Sequence, residues 1–382
     1  MKLVTRYLLW NLRKPWVYII SGFSLIAVLV DLFSNFVDFM DVATPLRRVL
    51  LYYAILLPTY LPYLLPISLL LALLYALWQL GKNSEVTAMR ASGLSLAQLT
   101  APYLLTGLVA SFLLLGVNEL FNPWATHWTR QFKALQGSAR KHQTHLQLNL
   151  AYKNVPGRRL WRVNSFDPRL STDYEMRGIN LTKQRPDGTD EFRMDVARAR
   201  WADGHWWFED VDARYYDANS DPDGPVTNFP SLEMTMLSET PRDFINEIKD
   251  SSERSAVEIL RFIDTHQGIS PETRNRLMFD FHYRLATPWL CFLAILVGVP
   301  FGMHTGRRGM GLGILLALLL FFGYYVLMGV GQAIGKDKDT VEWILRSSAH
   351  PDAWLPVLAF LAGWLPDIVF LVLGLVLLRR QR

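Results

Sequence analysis

The sequence predicts an α-helical membrane protein of six transmembrane helices, with an all-β, jellyroll-like domain inserted after the third. Three observations predict it. Six long apolar stretches occur at 16–39, 54–80, 97–120, 284–303, 309–334 and 355–378, and a helix needs about 20 apolar residues to cross the hydrocarbon core. A polar, aromatic-rich block, 121–283, separates the third stretch from the fourth. Most Lys and Arg at the ends of the stretches fall on the side away from that block. The chain thus divides into 1–120 (three spans, with a short connecting helix at 84–93), the inserted block 121–283, and 284–382 (three more spans).

The basic residues orient the spans, because Lys and Arg resist translocation. Lys2, Arg6, Arg13 and Lys14 precede the first span with no acid among them. Lys82 and Arg90 lie between the second and third, Arg307 and Arg308 between the fourth and fifth, and Arg379, Arg380 and Arg382 close the chain. Both termini are therefore expected in the cytoplasm, and the block outside, in the periplasm of a Gram-negative cell. Arg47 and Arg48 are the exception, placed at the outer rim. The first stretch is too long for the apolar core of a cleaved signal and lacks a small-residue cleavage site, so it is expected to stay as an anchor. Asp31 sits deep in it, where an ionisable group costs about 2.5 to 3.5 kcal/mol and must face protein or a wet cavity. In the second span Pro58, Pro62 and Pro66 remove backbone donors, which predicts a kinked or interrupted start.

In the block the period changes from helical to alternating. From about 147 to 238 the text is rich in Trp, Tyr, Phe and Val, punctuated by Arg185-Pro186-Asp187-Gly188 and Ala202-Asp203-Gly204. Pro presets φ and Gly accepts positive φ, so both are hairpin turns, the second flanked by Trp201, Trp206 and Phe208 on one face. Short strands at this spacing form a sandwich or roll. A helical return follows. Ser255 and Glu258 have capping-box spacing, Val257, Leu260 and Ile263 keep helical period, and Gly268 is placed to stop it. Ser270-Pro271 then starts a helix that runs into the fourth span. Helical stalks thus leave the third span and enter the fourth.

Composition excludes several classes of function. Hydrophobic residues make up 51% of the chain and the net charge is +5, but no basic stripe with interleaved aromatics marks a nucleic-acid surface. The one cysteine, Cys291, lies in the fourth span, so the block is held by its core rather than by disulfides. No catalytic set has a local signature. The nearest approach to a phosphate loop, Gly329 to Lys336, has Val330 where Gly is needed and Asp337 where Ser or Thr is needed. His142 and His145 have metal-ligand spacing but no further ligand nearby, and a solvated stalk explains them. No cofactor or metal is expected, nor an enzyme.

The connection between the second and third spans carries more. Ser84-Glu85-Val86-Thr87-Ala88-Met89-Arg90-Ala91-Ser92-Gly93 is a short helix with an acid in its first turn and Gly at its stop. Val86, Ala88 and Met89 are free to face a partner or the membrane surface. On physics alone it is either an interfacial connector or a docking helix for a cytoplasmic partner.

That run resembles the signature of the LptF/LptG permeases of the lipopolysaccharide-export ABC transporter. Phe281 to Pro288 (Phe-His-Tyr-Arg-Leu-Ala-Thr-Pro), Val299-Pro300-Phe301-Gly302 and Trp364-Leu365-Pro366-Asp367 are similar to further motifs of the family, in order along the chain. The resemblance implies six helices with a periplasmic jellyroll, and a heterodimer of two paralogous permeases. It also implies a cytoplasmic ATPase dimer and a single-span partner, LptC-like, whose jellyroll docks on those of the permeases. By resemblance, Ser84, Glu85, Met89 and Arg90 belong to the coupling helix, with Glu85 offered to a basic residue of the ATPase. Lipopolysaccharide would be extracted from the outer leaflet into a cavity between the permeases and expelled into the jellyroll bridge. Apolar candidates for the cavity wall are Leu25, Ile26, Leu29, Phe33, Phe321, Phe322 and Tyr325. Some members carry a cation before Phe-Val-Asp at the outer end of the first span; here Asn35 stands there, and Arg47 and Arg48 are candidates to replace it. The Trp-turn-Trp hairpin leans toward the G-type subunit. Rival readings are a mechanotransmission permease that carries no lipid, a secondary transporter, which would show repeats and a polar midplane, and a membrane enzyme.

Overall fold

The computed structural model describes residues 2–41, 44–141, 147–154, 156–166, 175–248, 251–265, 271–305, 310–337, 339–340, 343 and 351–380. His142, His145, Gly268, Arg307 and Arg308 lie outside them. The chain forms two compact units, Met1–Lys133 with Ser251–Leu260 and Ser270–Arg382, and Ala134–Asp250 with Arg261–Ile269.

The first unit is helical: α1 Lys2–Asp41, α2 Leu46–Lys82, α3 Glu85–Ala91, α4 Leu96–Gly116, α5 Asn122–Lys141, α7 Ala256–Thr265, α8 Pro271–Ala286, α9 Leu290–Thr305, α10 Met310–Lys336 and α11 Pro351–Arg379. Here α5 and α7 each begin in this unit and end in the other, where α6, Pro241–Ile248, also lies. Among the described residues six helices are long and apolar enough to cross a membrane: Leu3–Val37, Leu46–Lys82, Leu96–Lys133, Pro271–Met303, Ile314–Lys336 and Trp354–Arg379.

These helices outrun the apolar stretches that reveal them. At 1.5 Å per residue the 38 residues of Leu96–Lys133 reach about 57 Å, well past a core about 30 Å thick. The expected stalks are therefore continuations of spans. A π-helical turn, Val117–Phe121, carries α4 into α5, and a 3₁₀ turn, Thr287–Trp289, carries α8 into α9. Pro288, at the middle of the 3₁₀ turn, cannot donate a helical hydrogen bond there.

The expected interruption at Pro58, Pro62 and Pro66 does not occur: α2 is continuous through all three. Spaced by four, the three prolines follow one line of the helix, so their missing donors fall along the same side. Pro62 and Pro66 are buried among neighbouring helices, which hold the helix together where its own ladder is thinned. Packing is close where side chains are small. A Cβ on Gly331 of α10 would fall on the Ala362 carbonyl of α11, and one on Gly298 of α9 would meet Leu70 of α2. Small residues at such crossings let helices approach where lipid supplies no hydrophobic drive.

The second unit is built on one antiparallel sheet of six strands in chain order: β1 Gln147–Asn154, β2 Arg159–Phe166, β3 Glu175–Gln184, β4 Asp190–Ala202, β5 His205–Tyr215 and β6 Thr227–Met234. Both expected hairpin turns are present. Asp203 and Gly204 have φ of 54° and 81°, the doubly positive geometry of a two-residue hairpin, with Ala202 paired to His205. At the other turn Arg185 N donates to Thr189 O at 2.7 Å, and Gly188 takes φ 90°.

Alternation does not run evenly along the strands. Core positions step by three rather than two at one place in each of four strands: Val163 to Phe166, Met176 to Ile179, Val196 to Ala199 and Phe208 to Val211. The register aligns these steps in one line across the sheet. Asn149, Gly178 and Asp210, on alternate strands of that line, have positive φ, and Asn164 leaves no room for a Cβ on Gly178. The change of phase lets both halves of the sheet address one core, formed by Trp161, Phe166, Met176, Trp206 and Phe208 with Phe244 of α6.

Candidate functional site

The short helix α3 is present, and it is tied to the first helix. Gly93 takes φ 91°, with Gly93 N donating to Arg90 O and Leu94 N to Met89 O, a left-handed stop for the helix. Ser84, placed by sequence in the docking set, adopts φ 58° and makes no side-chain cap. Tyr7 OH of α1 donates to Glu85 Oε2 at 2.6 Å, and Asn83 Nδ2 to Glu85 Oε1 at 3.1 Å. Arg90 is exposed. Met89 and Val86 differ from the expectation of a free face: both pack against the chain's own helical core. The start of α1 and this connection therefore share one side of the membrane unit.

At the other end of α1 the polar groups are organised around Asp31. Its carboxylate, buried as expected, accepts from Tyr52 OH at 3.2 Å and from Lys133 Nζ at 3.1 Å. Tyr52 stacks on Phe132, ring centroids 5.2 Å apart, and Trp128 stacks on Phe132 in turn. Asn35 is occupied by its own helix, donating from Nδ2 to the Asp31 carbonyl at 2.6 Å. Arg47 and Arg48 are exposed in the first turn of α2. The proposed wall residues are only partly brought together: Phe321 and Tyr325 lie 4.6 Å apart and Tyr325 stacks on Tyr63 of α2, whereas Phe33, 76% exposed on α1, makes no ring contact with them among the described residues. α1 packs Leu8, Leu12 and Ile19 into the helical core but leaves Leu25, Ile26, Leu29 and Phe33 exposed, while the apolar stretch of the fourth span is mostly buried.

Sequence reasoning missed a third polar cluster, where the return from the sheet domain meets the third span. Glu253, in a 3₁₀ turn Ser251–Glu253, accepts from His127 Nδ1 at 2.9 Å and Arg130 Nη1 at 2.5 Å on α5. His127 Nε2 lies 2.9 Å from Gln131 Nε2. With Nε2 accepting from that amide, Nδ1 carries the proton, so a neutral imidazole satisfies both partners. Burial by itself would raise the Glu253 carboxyl, but the His127 hydrogen bond and the Arg130 charge outweigh it and hold the carboxyl below its ordinary value. Its contribution is in place at neutral pH and is lost only as pH falls through that lowered value. Three residues on, Ala256 N donates to Glu119 Oε2 at 2.8 Å, so an acid of the π-helical turn caps α7. The Ser255–Glu258 capping box expected from sequence forms beside it. Only the local His-x-x-Arg spacing hinted at this cluster; Glu253 is 126 residues from His127, and Glu119 is 137 from the Ala256 amide it caps.

The segment 329–336, the nearest thing to a phosphate loop, is helical throughout within α10. Its amides are spent on the helix ladder rather than turned toward an anion.

The family model for the lipopolysaccharide export system permease LptF/LptG matches residues 6–380. The chain belongs to the LptF/LptG family. The match takes in all six spans and the sheet domain, so it describes the whole architecture rather than one module. This LptF/LptG permease is a multi-pass inner-membrane protein, and its family is one of lipopolysaccharide export. No curated protein sequence matches it.

Proposed function

We propose that this LptF/LptG chain is one of two permease halves, in the G-type position, of an ABC exporter that lifts lipopolysaccharide out of the inner membrane. ATP hydrolysis belongs to a separate cytoplasmic dimer, and an LptC-like single-span protein extends the jellyroll bridge. The observation that carries this is the family match over residues 6–380. The basic clusters support a cytoplasmic place for the side that holds α3 and a periplasmic one for the sheet domain. The exposed apolar side chains of α1, Leu25, Ile26, Leu29 and Phe33, suit a second permease and the acyl chains of the cargo. The paired Trp201 and Trp206 support the G-type place.

In this reading α3 is the coupling helix. Glu85 would exchange Tyr7 and Asn83 for a basic residue of the ATPase, a stronger, charge-assisted partner. Arg47 and Arg48, exposed at the head of α2, offer planar forks to lipid phosphates in place of Asn35, which is spent on its own helix.

The test is reconstitution of the chain with an F-type partner and the ATPase in lipopolysaccharide-containing liposomes. Release to a soluble jellyroll acceptor should require ATP and should stop with Glu85→Lys. Release without ATP, or a Glu85→Lys complex that assembles and transports normally, overturns the assignment.

A further inference from the structure

We infer that Glu119 and Glu253 form a reciprocal clasp whose integrity positions the permease for transport, a role that rests on the exporter reading. Each acid comes from one side of the joint and holds a group on the other. Glu119, from the π-helical turn of the third span, caps the first amide of α7 through Ala256 N at 2.8 Å. Glu253, just before α7, takes His127 and Arg130 of α5. Ala256 and Arg254 are buried at the same place, and Arg284 of α8 donates from Nη1 to the Asn118 carbonyl at 3.3 Å.

The clasp therefore gathers α4–α5, the start of α7 and α8 within the helical unit. A π-helical turn is the device that makes it: the extra residue per turn shifts Glu119 out of the phase of α4, and such turns recur at functional sites. Charge-assisted bonds of this kind are the strong ones, and Glu253 is nearly excluded from water, which leaves little solvent to replace a lost partner. A span that changes position during the cycle must carry the 251–260 segment with it while the clasp is closed. Once it opens, the two can move separately and the work of the ATPase is dissipated at the joint.

The experiment uses the full-length chain and the reconstituted complex, with Glu119→Gln, Glu253→Gln and the exchange pair Glu253→Arg with Arg130→Glu. In the purified chain, hydrogen exchange at 251–260 should speed up about tenfold in either Gln variant, the size expected from taking the charge out of a charge-assisted hydrogen bond, with β4 and β5 unchanged. In liposomes, lipopolysaccharide released per ATP should fall about tenfold while ATPase rate and complex assembly hold, and the exchange pair should restore coupling. Unchanged hydrogen exchange would show that the clasp does not exist. Faster exchange with undiminished release per ATP, or parallel loss of assembly and ATPase, would reduce it to a structural contact. A wild-type complex that releases no lipid fails the exporter reading and leaves the exchange result standing.

Discussion

Two carboxylates buried in this chain, Glu239 in the sheet domain and Asp31 in the membrane unit, are held in ways that show how differently the two units are built. Glu239 sits beside a dry aromatic core, and its Oε1 accepts from Asn154 Nδ2 at 2.8 Å, Arg159 Nε at 2.8 Å and Trp161 Nε1 at 3.2 Å, while its carbonyl takes Trp206 Nε1 at 2.7 Å. Asp31 accepts from Tyr52 and Lys133, with Tyr53 and Tyr60 also interacting with it, and that lysine is half exposed. Water surrounds the sheet domain, so apolar burial drives its folding and a polar group left inside needs several partners, as Glu239 Oε1 has, although its buried Oε2 has none among the described residues. Lipid surrounds the spans, so burial drives little between helices. Shape and a few polar ties decide which helices meet.

The largest effect is expected where the sheet domain concentrates its core. Trp206 is wholly buried, lies within 5.9 Å of the Trp161, Trp201 and Phe244 rings, and donates to Glu239 O. Trp206→Ala should cost about 3 to 5 kcal/mol, read as accelerated hydrogen exchange across β4 and β5 in the full-length chain. Trp201→Ala should cost less, because that ring is only half buried. Equal effects would mean the hairpin face is not polarised as described.

Glu239→Ala comes next. Removing one partner of a buried ion pair leaves the other charge stranded, at about 3 to 5 kcal/mol. A cycle with Arg159→Ala should show strong coupling, the double variant being little worse than either single one. Additive losses would show that Glu239 acts through Trp161 and Asn154 instead.

Shape is the lever in the membrane unit, and two glycines of α10 isolate it. Gly331 abuts the Ala362 carbonyl, whereas nothing lies within 4 Å of a Cβ on Gly329. Overpacking at Gly331→Leu should cost about 1 to 3 kcal/mol, measured as loss of thermal stability in detergent, with Gly329→Leu near wild type. Similar losses from both would show that the α10–α11 contact is not what makes Gly331→Leu costly.

The contrast also explains what the sequence reveals. Spans and hairpins are local: apolar length shows a span, and Asp203-Gly204 between aromatics shows a turn, so both stood out. The continuation of α4 into α5 showed as a helical stalk, but the π-helical turn Val117–Phe121 that joins them did not, because no local residue type marks it. The triple step at Val163, Ile179, Val196 and Val211 is set by neighbouring strands and mimics a lapse in alternation. The unbroken α2 depends on neighbours that bury Pro62 and Pro66. In the candidate site α3 was legible from Glu85 and Gly93, but Tyr7 lies 78 residues from Glu85 and Glu253 lies 123 from Arg130, and no local pattern joins such pairs.

The smallest effect is expected at Asp31, and it is the sharpest test of the comparison. A carboxylate within a span looks costly, yet polar ties between membrane helices average only about 0.6 kcal/mol and reach about 1.7, because an unfolded helix in the bilayer finds other partners. Asn in place of Asp31 keeps an acceptor for Tyr52 and gives up only the charge toward Lys133, whose head is in reach of water. Asp31→Asn should therefore cost less than about 1 kcal/mol, and its coupling to Tyr52→Phe should stay within the membrane range, far below that of Glu239 with Arg159. Unfolding of the full-length chain in mixed micelles, with the two cycles side by side, measures both. A coupling at Asp31 as large as that at Glu239 would mean that it is shielded from water and lipid as fully as the sheet domain's core, and the distinction drawn between the two units would fail at its most direct point of comparison.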